Sequence, residues 1–309
     1  MRARAPASAA NLGPGFDVLA VALDLYVEVE IEPAGRLTVR SEGEGADLEE
    51  DDMHLAARVA IEVAGHDGMA ITVRSGIPVA RGLGSSAALA VAAAAAAGSK
   101  DPLAVAARID GHPENAAASV VGGLVAATSV KGAVRAVRMS LDGRLTFVAM
   151  VPDRALPTSK ARQALPQHVA RTDGIFNLGR MSLLLAGLAD RSLLIKEATE
   201  DRLHQDYRSP MFPEAPQLLA RLVSAGALAS CWSGAGPTLL GICDGGDAER
   251  VRAGAEAALK DVGVPGRCMV LRPDLEGLIV EDGARSSRRG TPPLRSFDEL
   301  DDGTQDGLR

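Results

Sequence analysis

The chain has 309 residues, with 33 Lys and Arg against 40 Asp and Glu and a net charge of −7. That balance argues against nucleic-acid binding driven by bulk charge, while local basic residues remain free to hold a small anion. The length allows one large or two modest domains. Cys231, Cys243 and Cys268 match no metal-site spacing and read as buried small residues of a reducing compartment.

The opening MRARAPASAANLGPG has the arginines and small residues of a transit peptide but no apolar core, so no leader is expected. Asn11, Gly13, Gly15 and Asp17 form a tight polar loop ahead of an apolar strand. Alternation around Val27, Val29 and Ile31 predicts strands over 21–33 and 36–43. A helix follows over 51–65, stopped by Gly65, and a strand over 68–79. The segment PVARGLGSSAALAVAAAAAAG, 78–98, is a glycine turn opening a polyalanine helix that Gly98 stops. This helix is too short and too weakly hydrophobic to span a bilayer, so a cytoplasmic protein with no membrane partner is expected. A short helix is predicted at PLAVAARID and a Gly-Gly break before a strand at AAASVVGGLVAAT.

RLTFVAMVP is a strand ending at Pro152, and the domain boundary is placed just before it, giving domains 1–144 and 145–283. Helices are expected over 173–190, 192–201 and 215–227. They are followed by a strand-turn-strand over 228–245, a helix over 247–263 and a strand from Gly266. The stretch 284–309 is polar, rich in Pro and Gly and aperiodic, and reads as a disordered tail. Periodicity by itself yields only a mixed α and β chain.

The glycine turn has a chemical meaning. A helix N-terminus exposes unpaired N–H groups and about half a positive charge, which suits a phosphate. Gly82 and Gly84 let a ligand approach the backbone, and Ser85 and Ser86 add hydroxyls for phosphate oxygens or a metal. No Gly-Lys-Ser/Thr closes it, so it is not a Walker A loop. The string GLGSSA fits the G-x-G-x-x-A of a dinucleotide fold, but it follows several strands rather than the first. The acid about twenty residues on, Asp101, follows a helix rather than a strand. WSGAGPTLLGI, 232–242, is a third glycine cluster, in which small residues permit close backbone approach.

In this order and spacing the three motifs resemble those of the GHMP kinases over roughly residues 3–282. The segments SAANLGPGFDVLA, GHPENAAASVVGG, LPTSKARQALP and LHQDYR are most similar to those of homoserine kinases within that superfamily. The resemblance implies two α/β (α+β) domains, the first like the second domain of ribosomal protein S5 and the second ferredoxin-like. ATP and acceptor would meet at their junction. It implies ATP-dependent phosphorylation of L-homoserine to O-phospho-L-homoserine, in threonine synthesis, with Mg2+. A homodimer is common among such proteins, although no interface is readable here. Threonine feedback is equally unreadable.

The resemblance also implies a site. Pro78, Val79, Ala80, Arg81, Gly82, Leu83, Gly84, Ser85, Ser86, Ala87 and Ala88 match the ATP phosphate loop. Asp17 matches the position facing the substrate ammonium, and Arg162 and Arg208 match the substrate arginines, with Asn11, Asn115 and Thr158 beside them. Catalytic positions are Ser86, Asp110 and Asn115, with Ser86 and Asp110 as metal ligands. Here the chain departs from the family's usual Glu-Gly-His-Pro-Asp-Asn: it reads Asp110-Gly111-His112-Pro113-Glu114-Asn115. Asp110 keeps a hard oxygen donor one methylene shorter, and Glu114 is the alternative metal ligand. Where mevalonate kinases have an aspartate base this chain has Asn115, and His112 reads as a structural turn residue, so catalysis without a side-chain base is expected. The rival readings are another GHMP kinase for mevalonate or a sugar, a nicotinamide-dependent oxidoreductase, and a relative that has lost the chemistry.

Overall fold

A computed structural model describes residues 1–47 and 51–281, and Asp110 only in its backbone. The first lobe begins with β1 (Arg2–Asn11), β2 (Gly15–Pro33), β3 (Thr38–Gly43), α1 (Leu55–Ala64) and β4 (Met69–Ser75). It continues through α2 (Ser85–Ala96), α3 (Pro102–Asp110), α4 (Pro113–Val121), β5 (Leu124–Val130) and β6 (Ala133–Met139). The second lobe holds β7 (Leu145–Pro152), α5 (Thr158–Gln163), α6 (Arg171–Ala189), α7 (Gln205–Arg208) and α8 (Ala215–Ser224). It ends with β8 (Ala229–Trp232), β9 (Leu239–Asp244), α9 (Ala248–Asp261) and β10 (Gly266–Leu271), and then comes β11 (Ile279–Glu281).

Seven strands make the first sheet. Its path runs β11-β1-β2-β4-β3, and β5 pairs with β2 and β6. Ala3, Ala5, Ala7 and Ala9 alternate toward the core from β1 while Arg2 and Arg4 point outward, the period-two pattern of a half-buried strand. Four strands, β10-β7-β9-β8, make the second sheet. The chain passes from one sheet to the other with β7 and returns to the first with β11.

Polyalanine helix α2 is the centre of the first lobe. Ala87, Ala88 and every residue from Ala90 to Ala96 are buried. A helix that is apolar all round is buried all round, and methyl side chains let β1, β2, α1, α3 and α4 close on it at short range. No helix among the described residues is long and apolar enough to cross a membrane. The three cysteines are free, and burial pushes their thiols up to about 12, which makes them packing residues rather than nucleophiles.

Several expectations need correcting. Residues 2–11, to which no element is assigned from sequence, form a strand, so the tight polar loop expected ahead of β2 is the turn of a β-hairpin. The helix expected over 192–201 is two 3-10 turns, Arg191–Leu193 and Lys196–Thr199. Asp190 accepts from Ser192 N at 3.0 Å and restarts the chain there. Leu194 packs on Gly187 so closely that a Cβ on the glycine would lie 2.6 Å from Leu194 Cα. Tertiary contact thus overrides the helical propensity of the segment. The tail expected over 284–309 lies outside the described residues.

Gly82 marks where the lobes touch. It sits at φ +77°, and a Cβ there would drive into the carbonyl of Ser233. Gly82→Ala is expected to cost on the order of 1–3 kcal/mol of stability. The loss should be readable as a lower urea midpoint at unchanged slope; an unchanged midpoint would mean the lobes do not close through this contact.

Candidate active site

Three glycine-containing loops meet at one point. Gly234 N donates to Ala10 O at 2.9 Å, and Asn11 Nδ2 donates to Gly234 O at 2.9 Å. Ser233 Oγ donates to Gly82 O at 2.7 Å, and Ser8 N donates to Leu83 O at 3.1 Å. Each approach is possible because the glycines carry no side chain and adopt positive φ. Between the loops lies a cleft of about 640 Å³, open solvent included.

One end of the cleft is the start of α2. Its N-cap, Gly84, is left-handed at φ +66° and no side chain caps the helix, so the first-turn N–H groups stay available to a ligand. Ala80, Gly82, Gly84, Ser85, Ser86 and Ala87 line this end. Opposite them α4 presents His112, Glu114 and Asn115. Asn115 Oδ1 accepts from Ser8 Oγ at 2.8 Å, and its Nδ2 donates to Glu114 Oε1 at 3.2 Å, so the amide's orientation is set on both sides. Ser85 and Ser86 also border a second cavity of about 1110 Å³, open solvent included. Apolar Val27, Met53, Val73 and Leu89 line it beside Val79 and His54.

The other end is charged. Arg162, in α5, forks Asp17 with two parallel bonds, Nη1 to Oδ2 at 3.0 Å and Nη2 to Oδ1 at 2.8 Å. Arg208 lies beyond, 2 % exposed. Its Nη1 donates to Gly234 O at 2.9 Å and to His204 Nδ1 at 3.0 Å, while its Nε finds no partner. Among the described residues no carboxylate forms an ion pair with it. Burial, and then the charge of Arg162, holds its guanidinium down at about 10. An unpaired buried cation is expensive unless a ligand supplies the anion.

The segment around Arg208 is built to hold it. Asp201 Oδ2 gathers the N–H groups of His204 at 2.9 Å and Gln205 at 2.7 Å, starting α7. Gln205 accepts from Trp232 N at 2.9 Å and donates to Thr199 O at 3.0 Å. Arg208 can only donate, so His204 Nδ1 accepts and its ring proton sits on Nε2, which reaches Gly13 O at 2.8 Å. The imidazole is therefore neutral, and burial first of all lowers its pKa to about 4. Phe16 stacks on this ring, with centroids 5.1 Å apart.

Asn11, Asp17, Thr158, Arg162, Arg208, Ser86 and Asn115, all expected from the sequence, line the one cleft. Asn11 is largely spent on structure: it bridges Gly234 O and, through Oδ1, the N–H of Asp17 at 3.1 Å. Five positions of the expected phosphate loop are not among the lining residues of this cleft, and of these Val79 borders the second cavity instead. Leu83 and Ala88 face the core, Pro78 is buried, and the guanidinium of Arg81 turns to the carbonyls of Val79 and Asp153. The side chain of Asp110 lies outside the described residues. Sequence reasoning missed Ser8, Phe16 and His204 as supports. His204 and Phe16 stood inside segments already singled out, but nothing in their spacing announced that they would stack.

His204 makes stability depend on pH. Unfolded, it takes up a proton near pH 6.5; folded, it stays neutral down to about 4. Its contribution is whole above pH 6.5 and is lost as pH falls from there to about 4, at roughly 1 kcal/mol per pH unit. The denaturation midpoint followed from pH 7 to pH 4.5 should show this slope, and His204→Gln should flatten it; equal slopes in both proteins would contradict the neutral, buried assignment.

The chain matches the model of the GHMP kinases N terminal domain over residues 53–123 and that of the GHMP kinases C terminal over residues 183–261. Homoserine kinase of Streptomyces avermitilis is 40% identical, with 81% of this chain and 88% of that protein covered. Homoserine kinase of Thermus thermophilus is 41% identical, with 78% and 86% covered. Among solved structures, homoserine kinase of Cytophaga hutchinsonii superposes with a TM-score of 0.79 at 24% identity, over 90% of this chain and 96% of that one. L. major mevalonate kinase, in complex with R-mevalonate, superposes with a TM-score of 0.67 at 14% identity, over 89% and 95%. The chain belongs to the homoserine kinase family of the GHMP kinases.

Proposed function

We propose that the cleft transfers the γ-phosphoryl group of ATP to the side-chain hydroxyl of L-homoserine, giving O-phospho-L-homoserine for threonine synthesis in the cytoplasm. One observation carries the reading. A bare helix N-terminus shares a single cleft with a buried arginine that has no acid partner and with the carboxylate of Asp17. The first suits a triphosphate, and the other two suit the carboxylate and ammonium of an amino acid. A mevalonate-type acceptor has no ammonium to offer the Asp17 carboxylate.

In this reading the first-turn N–H groups of α2 and the Ser85 and Ser86 hydroxyls hold the phosphates, and Gly82 and Gly84 let them come close. The adenosine part occupies the neighbouring apolar cavity, which meets the cleft at those two serines. Arg208 takes the acceptor carboxylate, Asp17 its ammonium, and Asn115, held by Ser8 and Glu114, faces the hydroxyl. Ser86 and Glu114 supply hard oxygen atoms to the cleft, a donor set that fits Mg2+. When bound there, the ion neutralises charge on the transferring phosphoryl group.

No side chain is assigned as base. Asn115 cannot accept a proton at neutral pH, and Asp17 sits at the cationic end of the cleft. His112 stands at the N-cap position of α4 in a Gly-His-Pro turn, makes no side-chain capping bond and lines the cleft; it is read as a turn residue. The chain's contribution is position: it aligns the hydroxyl with the phosphate, and the proton leaves late, to phosphoryl oxygens or to water.

A coupled ADP-release assay tests the acceptor. The protein should phosphorylate L-homoserine and leave mevalonate and galactose untouched. Arg208→Lys should raise the homoserine KM by about tenfold or more, with the ATP KM changed less than about twofold, because a lysine lacks the fork that matches a carboxylate. Turnover of mevalonate in preference to homoserine would overturn the reading.

His112→Ala tests the mechanism separately. It should retain turnover within about tenfold of the parent, since general-base removal alone typically costs about 10²–10⁴. Abolished turnover with both substrate affinities intact would make His112 the base.

A further inference from the structure

The charged groups that an amino-acid zwitterion needs are present in the cleft, yet two of the three, Asp17 and Arg162, satisfy each other. Asp17 and Arg162 are joined by two parallel hydrogen bonds of 3.0 and 2.8 Å. Their side chains are about one third exposed, 32 % and 39 %, so the pair is reachable from the cleft mouth. Arg162 and Arg208 share the ring of Phe16, with guanidinium carbons 5.6 and 5.5 Å from its centroid. Phe16 therefore holds two cations on one side chain, and only one of them has an acid. The Nε atoms of both arginines are buried without a partner.

Resting on the homoserine reading above, we propose that Arg162 competes with the acceptor's ammonium for Asp17, and that binding is an ion-pair exchange which selects zwitterions. The incoming ammonium replaces Arg162 on Asp17, and the released guanidinium joins Arg208 on the incoming carboxylate. A zwitterion thus breaks one ion pair and forms two or more. An amino alcohol breaks the same pair but returns nothing to Arg162, and it leaves two guanidinium groups on one ring without an anion. A hydroxy acid leaves the pair closed and meets Arg208 alone. In this scheme Arg162 is a specificity-determining residue as well as a carboxylate ligand: it guards Asp17 against ammonium groups that bring no carboxylate.

Titration calorimetry on the full chain with an unhydrolysable ATP analogue reads this without turnover. The probes are L-homoserine, 3-amino-1-propanol and 4-hydroxybutyrate. Arg162→Ala should weaken homoserine by about tenfold or more and tighten 3-amino-1-propanol by about tenfold, since Asp17 is then open. It should leave 4-hydroxybutyrate within about threefold of the parent. Asp17→Asn, the second arm, should tighten 4-hydroxybutyrate by about fivefold or more, because Arg162 is freed to join Arg208. Unchanged or weaker amino-alcohol binding by Arg162→Ala, or unchanged hydroxy-acid binding by Asp17→Asn, would reduce Arg162 to a simple carboxylate ligand and overturn the exchange. Homoserine turnover by the unaltered protein is the separate control: its absence would sink the functional reading, while its presence with a failed titration sinks only the exchange.

Discussion

The backbone of Gly234 is the joint on which the site depends. Its N–H donates to Ala10 O, and its carbonyl accepts from both Asn11 and Arg208. The backbone of one residue therefore ties the β1–β2 hairpin, the β8–β9 turn and the arginine of α7 together. The neighbouring Ser233 adds the glycine turn ahead of α2 through Gly82. A side chain at Gly82 would force the two lobes apart. The spacing between helix end and charged end is thus set by backbone contacts, which do not stretch, rather than by long side chains, which do.

Electrostatics then divides the cleft. At the α2 end the positive potential comes from unpaired backbone N–H groups, which cannot be titrated away or rotated out. At the far end it comes from guanidinium groups, one buried and one half-exposed. The chain tolerates buried Arg208 by giving it neutral partners, the Gly234 carbonyl and a histidine that burial keeps uncharged. A protonated His204 could not accept from Arg208, so the same desolvation that lowers the histidine keeps the arginine in place. Neither group completes the other's charge, which leaves the guanidinium disposed toward an anion from outside.

Much of this was legible from sequence because it is written in backbone chemistry. Alanine excess predicts α2, alternation predicts β2, and glycines with serines mark a helix end open to anions. What escaped was tertiary. The strand Arg2–Asn11 was hidden because its core-facing residues are alanines and a serine, small residues with weak strand propensity that lie against the alanines of α2. The helix expected over 192–201 gave way to 3-10 turns because Gly187 admits Leu194 at a distance no helical continuation would allow. The separate assignments of Asp17 and Arg162 anticipated where each lies but not that they would hold one another, since 145 residues separate them. His204 was passed over for a similar reason: a buried neutral tautomer is decided by what surrounds it, and its surroundings come from Gly13, Phe16 and Asp201.

A site assembled this way has little need of a base. Phosphoryl transfer passes through a loose transition state in which the attacking hydroxyl has formed little bond and lost little proton, so a stronger nucleophile brings a small return. Alignment brings a large one, on the order of 7–11 kcal/mol for reacting groups held in register. The residues nearest the expected hydroxyl fit that emphasis. Asn115 is clamped from both ends by Ser8 and Glu114, and a Cβ added at Gly84 would meet the Asn115 amide oxygen at 3.2 Å, so only a glycine leaves room between them. In the proposed reading the Asn115 amide positions the hydroxyl by hydrogen bonding and takes no proton. In the proposed arrangement an amide fixed between the Ser8 hydroxyl and the Glu114 carboxylate holds the hydroxyl in place, and phosphoryl transfer by positioning requires that fixity more than it requires a base.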